Sequence, residues 1–347
     1  MKKLIFLIAL VAFSACKNDT NKNGSSSESE ENVVNVYTHR HYAADQLLFK
    51  QFEETTRIKV NVINASADEL IQKMTIEGAQ SPADVLITVD AGRLTRAKDQ
   101  NLLQPIESDV LNRIIAPHLK DSENYWFGLT KRARIIAYSK ERVDSTDLST
   151  YEDLASDKWK GKILIRSSEN IYNQSLLASL IVHNGEKEAT KWTEAMVKNM
   201  ARSPKGNDRD QVKAVVGGEG DIAVVNTYYI GNMLNSTNPE EVKAAEAVGI
   251  FFPNQEGRGA HINVSGAGVA RYAPNKENAI KFIEFLISKE AQEVFANSNY
   301  EYPVNPIVKP APLLQQWGEF KEDSLTLSKL GEFNKKAVLT FDEAGWK

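Results

Sequence analysis

The sequence predicts an α/β fold in two lobes, and three observations lead there. Strand-like and helix-like segments alternate from Val33 onward. One strand candidate, "ADVLITVD", is a nearly continuous apolar run of the kind that parallel sheets bury on both faces. The alternation comes in two series that meet between Lys131 and Tyr138. Roughly 315 residues from Val33 onward suffice for two domains, and 42% hydrophobic residues can supply their cores.

The first series opens with "NVVNVYTH", a short β-branched run. "AADQLLFKQFEETT" follows, with Leu47, Leu48, Phe49 and Phe52 at a rough helical period. "IKVNVINA" is a second strand, "ADELIQKMTIEGAQ" a second helix and "ADVLITVD" a third strand, which makes βαβ units. The second series starts near Arg134 with the strands "RIIAYS" and "GKILIR". Helices are expected from about Gln174 to Val182 and from Lys187 to Asn199. The strand "DIAVVN" then runs into a helix that begins near a tyrosine pair. "AVGIFFP" and "GAGVARY" are further strands, and "KENAIKFIEFLIS" is a helix with Ala279, Ile280, Phe282, Ile283 and Phe285 on its apolar face. The glycine-rich "GGEGD" (217–221) and "SGAG" (265–268) lack dinucleotide-binding spacing and are expected to be turns.

The N-terminus sets the compartment. "MKKLIFLIALVAFSAC" has two lysines, an apolar run too short to span a membrane, then small residues and Cys16. The ending "FSAC" resembles a bacterial lipobox, whose cysteine is lipidated and becomes the new N-terminus. Cys16 is the sole cysteine, so no intramolecular disulfide can form. Residues 17–32 are rich in Ser, Asn and Glu and read as a tether that cannot bury enough apolar surface to order itself. The chain is therefore expected to be extracytoplasmic and anchored to the membrane by lipid alone.

Net charge is −4, and two units more acidic once Lys2 and Lys3 leave with the leader. That balance, without a basic stripe, argues against nucleic acid as a partner. No G-x-S-x-G elbow, H-E-x-x-H or Walker A loop is present, and one cysteine with five histidines offers no Cys/His zinc framework.

The candidate site residues sit where strands give way to helices. "YTHRHY" (37–42) follows the first strand; an extended backbone there would put His39 and His41 on one face and Arg40 and Tyr42 on the other. "RSSENIYNQS" (166–175) places Tyr172 between a strand and a helix, and Tyr228 and Tyr229 follow "DIAVVN" in the same way. In α/β proteins, ligands bind outside the carboxyl ends of strands. A helix N-terminus carries free N–H groups and partial positive charge, which favour a phenolate. A free phenol ionises near pH 10, so several phenolates together need a strong, hard cation, for which Fe3+ is better suited than Zn2+. The residues alone leave open that these tyrosines are pocket walls.

At these stretches the sequence resembles the ferric-iron solute-binding proteins of bacterial ABC importers. The resemblance runs through "VYTHRHYAADQLLFKQFEETTRIKV", "SPADVLITVDAGRL", "WFGLTKRARIIAYS", "GKILIRSSENIYNQS", "GDIAVVNTYYIGNM" and "EYPVNP". It implies a two-lobed, class II periplasmic-binding-protein fold with a hinged cleft. The lobes would be residues 33–132 with about 250–305, and about 133–249 with 306–347. It also implies a ferric ion held by His41, Tyr42, Tyr172, Tyr228 and Tyr229, in a monomer that serves an ABC permease and is not an enzyme. Arg40 and Arg132 would bind a synergistic anion such as carbonate, balance phenolate charge or form salt bridges. Two other readings are a receptor for an organic cation or oxyanion (polyamine, thiamine, phosphonate) on the same fold, and a tethered metal-dependent hydrolase.

Overall fold

The computed structural model describes residues 32–347; the leader, Cys16 and all but the last residue of the tether lie outside the described residues. The chain first lays down β1 (Val33–Thr38), α1 (Ala43–Thr56), β2 (Lys59–Asn64), α2 (Ala67–Glu77), β3 (Val85–Thr88), α3 (Ala91–Asp99), β4 (Leu103–Gln104) and α4 (Asp109–Ile114). A thirteen-residue strand, β5 (Phe127–Ser139), leads to β6 (Ile163–Leu164), α5 (Ile171–Asn184), α6 (Glu186–Asn199), α7 (Asp208–Val216), β7 (Ile222–Asn226), α8 (Thr227–Leu234) and α9 (Pro239–Ala247). Then come β8 (Val248–Phe251), β9 (Ile262–Ala270), α10 (Lys276–Leu286), α11 (Lys289–Asn299), β10 (Tyr302–Pro303), α12 (Pro312–Gln316), α13 (Ser328–Glu332) and α14 (Asn334–Ala344).

The strands run in the order β2-β1-β3-β9-β5-β7-β6, with β4 on β9 and β8 and β10 on β5. β1, β2 and β3 are mutually parallel, as are β6 and β7, while β9 and β5 lie antiparallel to their neighbours. Every residue of β3, β7 and β9 is buried, because helices cover the sheet.

β5 organises the rest. Phe127 to Ala133 pair with β9, and Thr130 and Lys131 also meet β10. From Arg134 onward the partners change to β7 and then β8. The expected break between Lys131 and Tyr138 is therefore no linker. It lies within one continuous strand whose two ends serve different halves of the sheet.

Helix positions follow the apolar periodicity, with α5 starting three residues before the expected Gln174 because Asn170 caps it by accepting the Tyr172 N–H. The "SGAG" segment departs from expectation. It is no turn but the middle of β9, where an added Cβ on Gly266 would meet the Phe127 carbonyl oxygen at 2.7 Å and Leu94 at 2.8 Å. On Gly268 it would meet the Tyr125 carbonyl oxygen at 2.7 Å. These glycines permit close backbone approach between strands rather than a change of chain direction.

Candidate metal centre

Three strand-to-helix junctions deliver the tyrosines. Tyr42 is the N-cap of α1, with extended backbone (φ −77°, ψ 153°), and the Asp45 carboxylate accepts its N–H at 3.1 Å. Tyr172 lies in the first turn of α5, after β6, and its N–H donates to Asn170 Oδ1 at 3.1 Å. Tyr228 and Tyr229 lie in the first turn of α8, which follows β7 without an intervening loop. β1, β6 and β7 thus present these phenols beyond their carboxyl ends, where α/β sheets place ligands.

The structure brings all four together. The Tyr172 and Tyr228 hydroxyl oxygens are 3.1 Å apart. The Tyr228 and Tyr229 rings stack at 4.3 Å and 29°, and Tyr42 meets Tyr228 edge-on at 6.5 Å and 72°. His41 stacks on Tyr42 at 5.3 Å and is exposed, with Nδ1 turned to its own loop, 3.4 Å from the His39 carbonyl oxygen. That leaves Nε2 as the nitrogen available to a ligand. His39 does not join the cluster; its Nδ1 is buried without a partner. The alternation expected for an extended 37–42 holds only in part. β1 ends at Thr38, after which Arg40 turns into the core, His41 outward, and Tyr42 to a half-buried position.

The site disfavours phenolates until something pairs with them. Burial pushes the Tyr228 hydroxyl well above its ordinary range, and Tyr172, Tyr42 and Tyr229 push it further because phenolates there would repel one another. Tyr42 is raised by burial, then by Tyr172 and Glu301, against which Arg40 works in the other direction. Tyr229 is raised by burial, then by Tyr172 and Asp208. Among the described residues no group of three or more His, Cys, Asp and Glu could hold a metal. The donors for a cation here are phenol oxygens, with His41 beside them.

Asp45, Glu301, Asp208 and Asp90 are already engaged with arginines rather than free to pair with an organic ammonium. Arg40 is 2% exposed; its Nε donates to Asp45 at 2.8 Å and its Nη1 to Glu301 at 3.0 Å. Its guanidinium also lies 5.0 Å from the Tyr42 ring. Asp208 accepts from Arg134 at 2.6 Å and Arg166 at 2.9 Å. Asp90 accepts from Gly92 N–H, Ser175 and Asn263, and lies 3.8 Å from Arg132. Arg132 donates to the Val89 carbonyl and faces the Tyr172 ring at 5.4 Å. Sequence reasoning names Arg40 and Arg132 but misses Asp90, Arg134, Arg166, Asp208 and Glu301. None of these five lies in a spaced motif; only their pairing across the fold marks them.

Comparison with known proteins follows the same lines. The family model described as bacterial extracellular solute-binding protein matches residues 80–317. The chain is 48% identical over 334 residues to iron uptake protein A1 of Synechocystis, covering 96% of this chain and 93% of that one. A solved Trichodesmium protein "in complex with iron and citrate ligands" superposes with a TM-score of 0.88 at 52% identity, over 91% of this chain and all of that one. The ferric binding protein of Campylobacter jejuni gives 0.87 at 46%, over 90% and 100%.

Removing Arg40 would strand the Asp45 and Glu301 carboxylates in the core. Arg40→Met is expected to lower the unfolding free energy by about 3–5 kcal/mol, the usual cost of breaking a buried pair on one side, as measured by urea denaturation. The wild-type network carries an acid signature. Burial pushes the Glu301 carboxyl up, but Arg40 together with hydrogen bonds from Asn299 and Thr130 outweighs burial and holds it below the ordinary carboxylate range. A depressed carboxyl contributes stability above its unfolded pKa of about 4.3 that is lost as pH falls through the folded value. Stability measured from pH 6 down to pH 3 should therefore fall less steeply in Arg40→Met than in the wild type; equal slopes would exclude this pair as a source of acid lability.

Proposed function

The chain belongs to the bacterial extracellular solute-binding protein family, and on that premise we propose that it captures ferric iron in a cleft between two lobes and delivers it to an ABC permease. One observation carries the reading: four phenols from three helix starts meet at one place, with two of their oxygens 3.1 Å apart. The Synechocystis and Campylobacter relatives are named for iron uptake and ferric binding.

In this reading Tyr42, Tyr172, Tyr228 and Tyr229 bind the ion as phenolates and His41 completes the set from the outer side. A hard trivalent ion suits such donors and offsets the burial and repulsion that keep the phenols protonated without it. With His41 and Tyr42 both present the protein ligands form a full set; Arg40, held by two carboxylates, keeps Nη2 buried without a partner as the donor a synergistic anion would take. No bond is made or broken, and the protein is a carrier. Cys16, with its attached lipid, would hold the carrier near its permease; loss of radiolabelled palmitate incorporation on Cys16→Ala would support that anchor, and undiminished labelling would sink it.

The iron site has a direct spectroscopic test. Titrating the purified protein with ferric citrate should produce a visible phenolate-to-iron charge-transfer band that saturates near one equivalent. The Tyr228→Phe/Tyr229→Phe double variant should lose it while keeping its fold; a flat wild-type spectrum would overturn the assignment. Because each bound phenol must give up a proton, loading releases protons and affinity rises with pH. Apparent affinity measured between pH 6 and pH 8 against a chelator of known pH response should therefore increase; a flat profile would mean that neutral groups hold the metal.

The lobes in this proposal are residues 33–132 with about 250–305, and about 133–249 with 306–347. The change of partners along β5 between Ala133 and Arg134 supports that division. Contacts across it are close at α8, where an added Cβ on Gly231 would lie 2.5 Å from Tyr300 Cβ. Asn232 also donates to the Asn299 carbonyl at 3.2 Å. If the lobes part when iron leaves, Gly231→Ala penalises only the closed form. It is expected to weaken iron binding about tenfold, for an overpacking cost of roughly 1–3 kcal/mol. The iron-free thermal midpoint should stay level or rise, since alanine favours a helix. Unchanged iron affinity in that variant would argue against closure at this contact.

A further inference from the structure

Past α14 the chain turns back onto the stretch that carries Tyr172. Gly345 has a left-handed backbone (φ 71°); its N–H donates to the Asp342 carbonyl at 3.2 Å, and the next N–H, that of Trp346, to the Phe341 carbonyl at 3.0 Å. A helix end of this kind often carries an apolar contact across the reversal, and here the Trp346 and Phe341 rings meet at 4.8 Å. Trp192 of α6 lies 6.2 Å from the same indole, and Trp346 is left 3% exposed.

The reversal aims two polar groups at the link between β6 and α5. The Trp346 indole N–H donates to the Arg166 carbonyl at 3.1 Å, and the Lys347 carbonyl accepts the Ser168 N–H at 3.2 Å. The other end of α14 reaches the same stretch. Asn334 donates to Gln174 Oε1 at 3.1 Å, and Gln174 Nε2 donates to the Ser168 carbonyl at 3.0 Å. Within the stretch, Asn173 Nδ2 donates to the Arg166 and Ser167 carbonyls at 2.8 and 3.1 Å. Tyr172 therefore sits in a run, 166–174, that is bonded near both ends of a helix which offers no ligand itself.

β6 alone does not fix this run. It is two residues long, and its pairing with β7 ends at Leu164, well short of α5 at Ile171. Fixing the backbone of a free link costs conformational entropy at every residue, and a link ordered only when the ion arrives would subtract that cost from affinity. The bonds from Trp346 and Lys347 order it beforehand. They matter for Tyr172 in particular, because its N–H is held by Asn170 of the link, and one guanidinium facing its ring, that of Arg166 at 5.8 Å, belongs to the link as well.

We propose that Trp346 is a positioning residue for the iron site: through its indole N–H it fixes the link at Arg166 and so presents the Tyr172 hydroxyl in ligand position before the ion arrives. The role rests on the ferric reading and is exerted through Tyr172. Tyr42, Tyr228 and Tyr229 come from the starts of α1 and α8, to which Trp346 makes no hydrogen bond. A tryptophan that merely filled the core would stabilise the fold without reference to Tyr172, and that difference can be measured.

A double-mutant cycle provides the test. Ferric affinity of the purified protein is measured by competition with citrate, following the charge-transfer band. Trp346→Phe keeps an aromatic ring beside Trp192 and Phe341 and removes the N–H; it is expected to weaken iron binding about three- to tenfold, the worth of one hydrogen bond. In a Tyr172→Phe background the same change should have no further effect, whereas in a Tyr229→Phe background it should cost the full factor. An equal loss in both backgrounds, or none in the wild type, overturns the role; a wild type without the band overturns the ferric reading itself. Should Tyr172→Phe bind too little iron to titrate, amide hydrogen exchange in the iron-free protein decides. Trp346→Phe should speed exchange across 166–174 and leave α8 unchanged; exchange that rises equally in both, or in neither, overturns the role.

Discussion

Mutual repulsion among buried phenols is the constraint around which this site is organised. With Tyr172 and Tyr228 hydroxyls 3.1 Å apart, a neutral pair can share a hydrogen bond, but two phenolates at that distance cannot coexist in a dry site without a counter-charge. Tyr42, Tyr228 and Tyr229 are each driven above their ordinary range first by burial and then by Tyr172. A monovalent or weakly polarising cation would return too little energy to reverse that. The arrangement thus selects by charge as well as by donor type: the protonated state is self-consistent when empty, and the ionised state is self-consistent only around a small, highly charged ion.

Supporting charges are placed so as not to compete for that role. Each of these carboxylates is paired with a guanidinium, Asp45 and Glu301 sharing Arg40 and Asp208 taking Arg134 and Arg166. Unpaired, any of them would be a better cation ligand than a protonated phenol and would draw hard ions of lower charge, such as Mg2+ or Ca2+. The pairs also fix geometry. Asp208 accepts the Asn226 N–H at 3.1 Å as well as two arginines, which anchors the residue two positions before Tyr228. Asn173, next to Tyr172, accepts from Arg134 at 2.8 Å. One buried network therefore positions the proposed ligands from α5 and α8.

How much of this was legible follows from what each feature depends on. The βαβ order was readable because β3 and β7 are apolar throughout and the helices keep a regular apolar spacing. Tyr172, Tyr228 and Tyr229 stood out because each follows a strand and opens a helix, a local pattern. His41 and Tyr42 were readable as residues after a strand, but their orientations were not, since the chain leaves extended geometry after Thr38. The partners of Arg40, Arg134 and Asp90 lie 261, 74 and 85 residues away in Glu301, Asp208 and Ser175, and no period or spacing announces such pairs. Gly266 and Gly268 read as a turn because close packing between strands and a change of direction call for the same residue.

A carrier must also let go, and the contacts that cross between the two proposed lobes are suited to that. Ser175 donates to Asp90 at 2.9 Å and Asn232 to the Asn299 carbonyl at 3.2 Å, and α8 presses on Tyr300 through Gly231. Each neutral or single-charge hydrogen bond contributes only about 0.5–3 kcal/mol net, so these contacts at α5 and α8 hold the closed form only weakly by themselves. Metal–phenolate bonds from both lobes would supply the rest, and a ligand shifts a two-state equilibrium only by its differential affinity for the two states. Closure is then strong when the ion is bound and weak when it is not. Returning protons to the phenols removes the same bonds that hold the cleft closed, so ion release and opening need no separate trigger within the site.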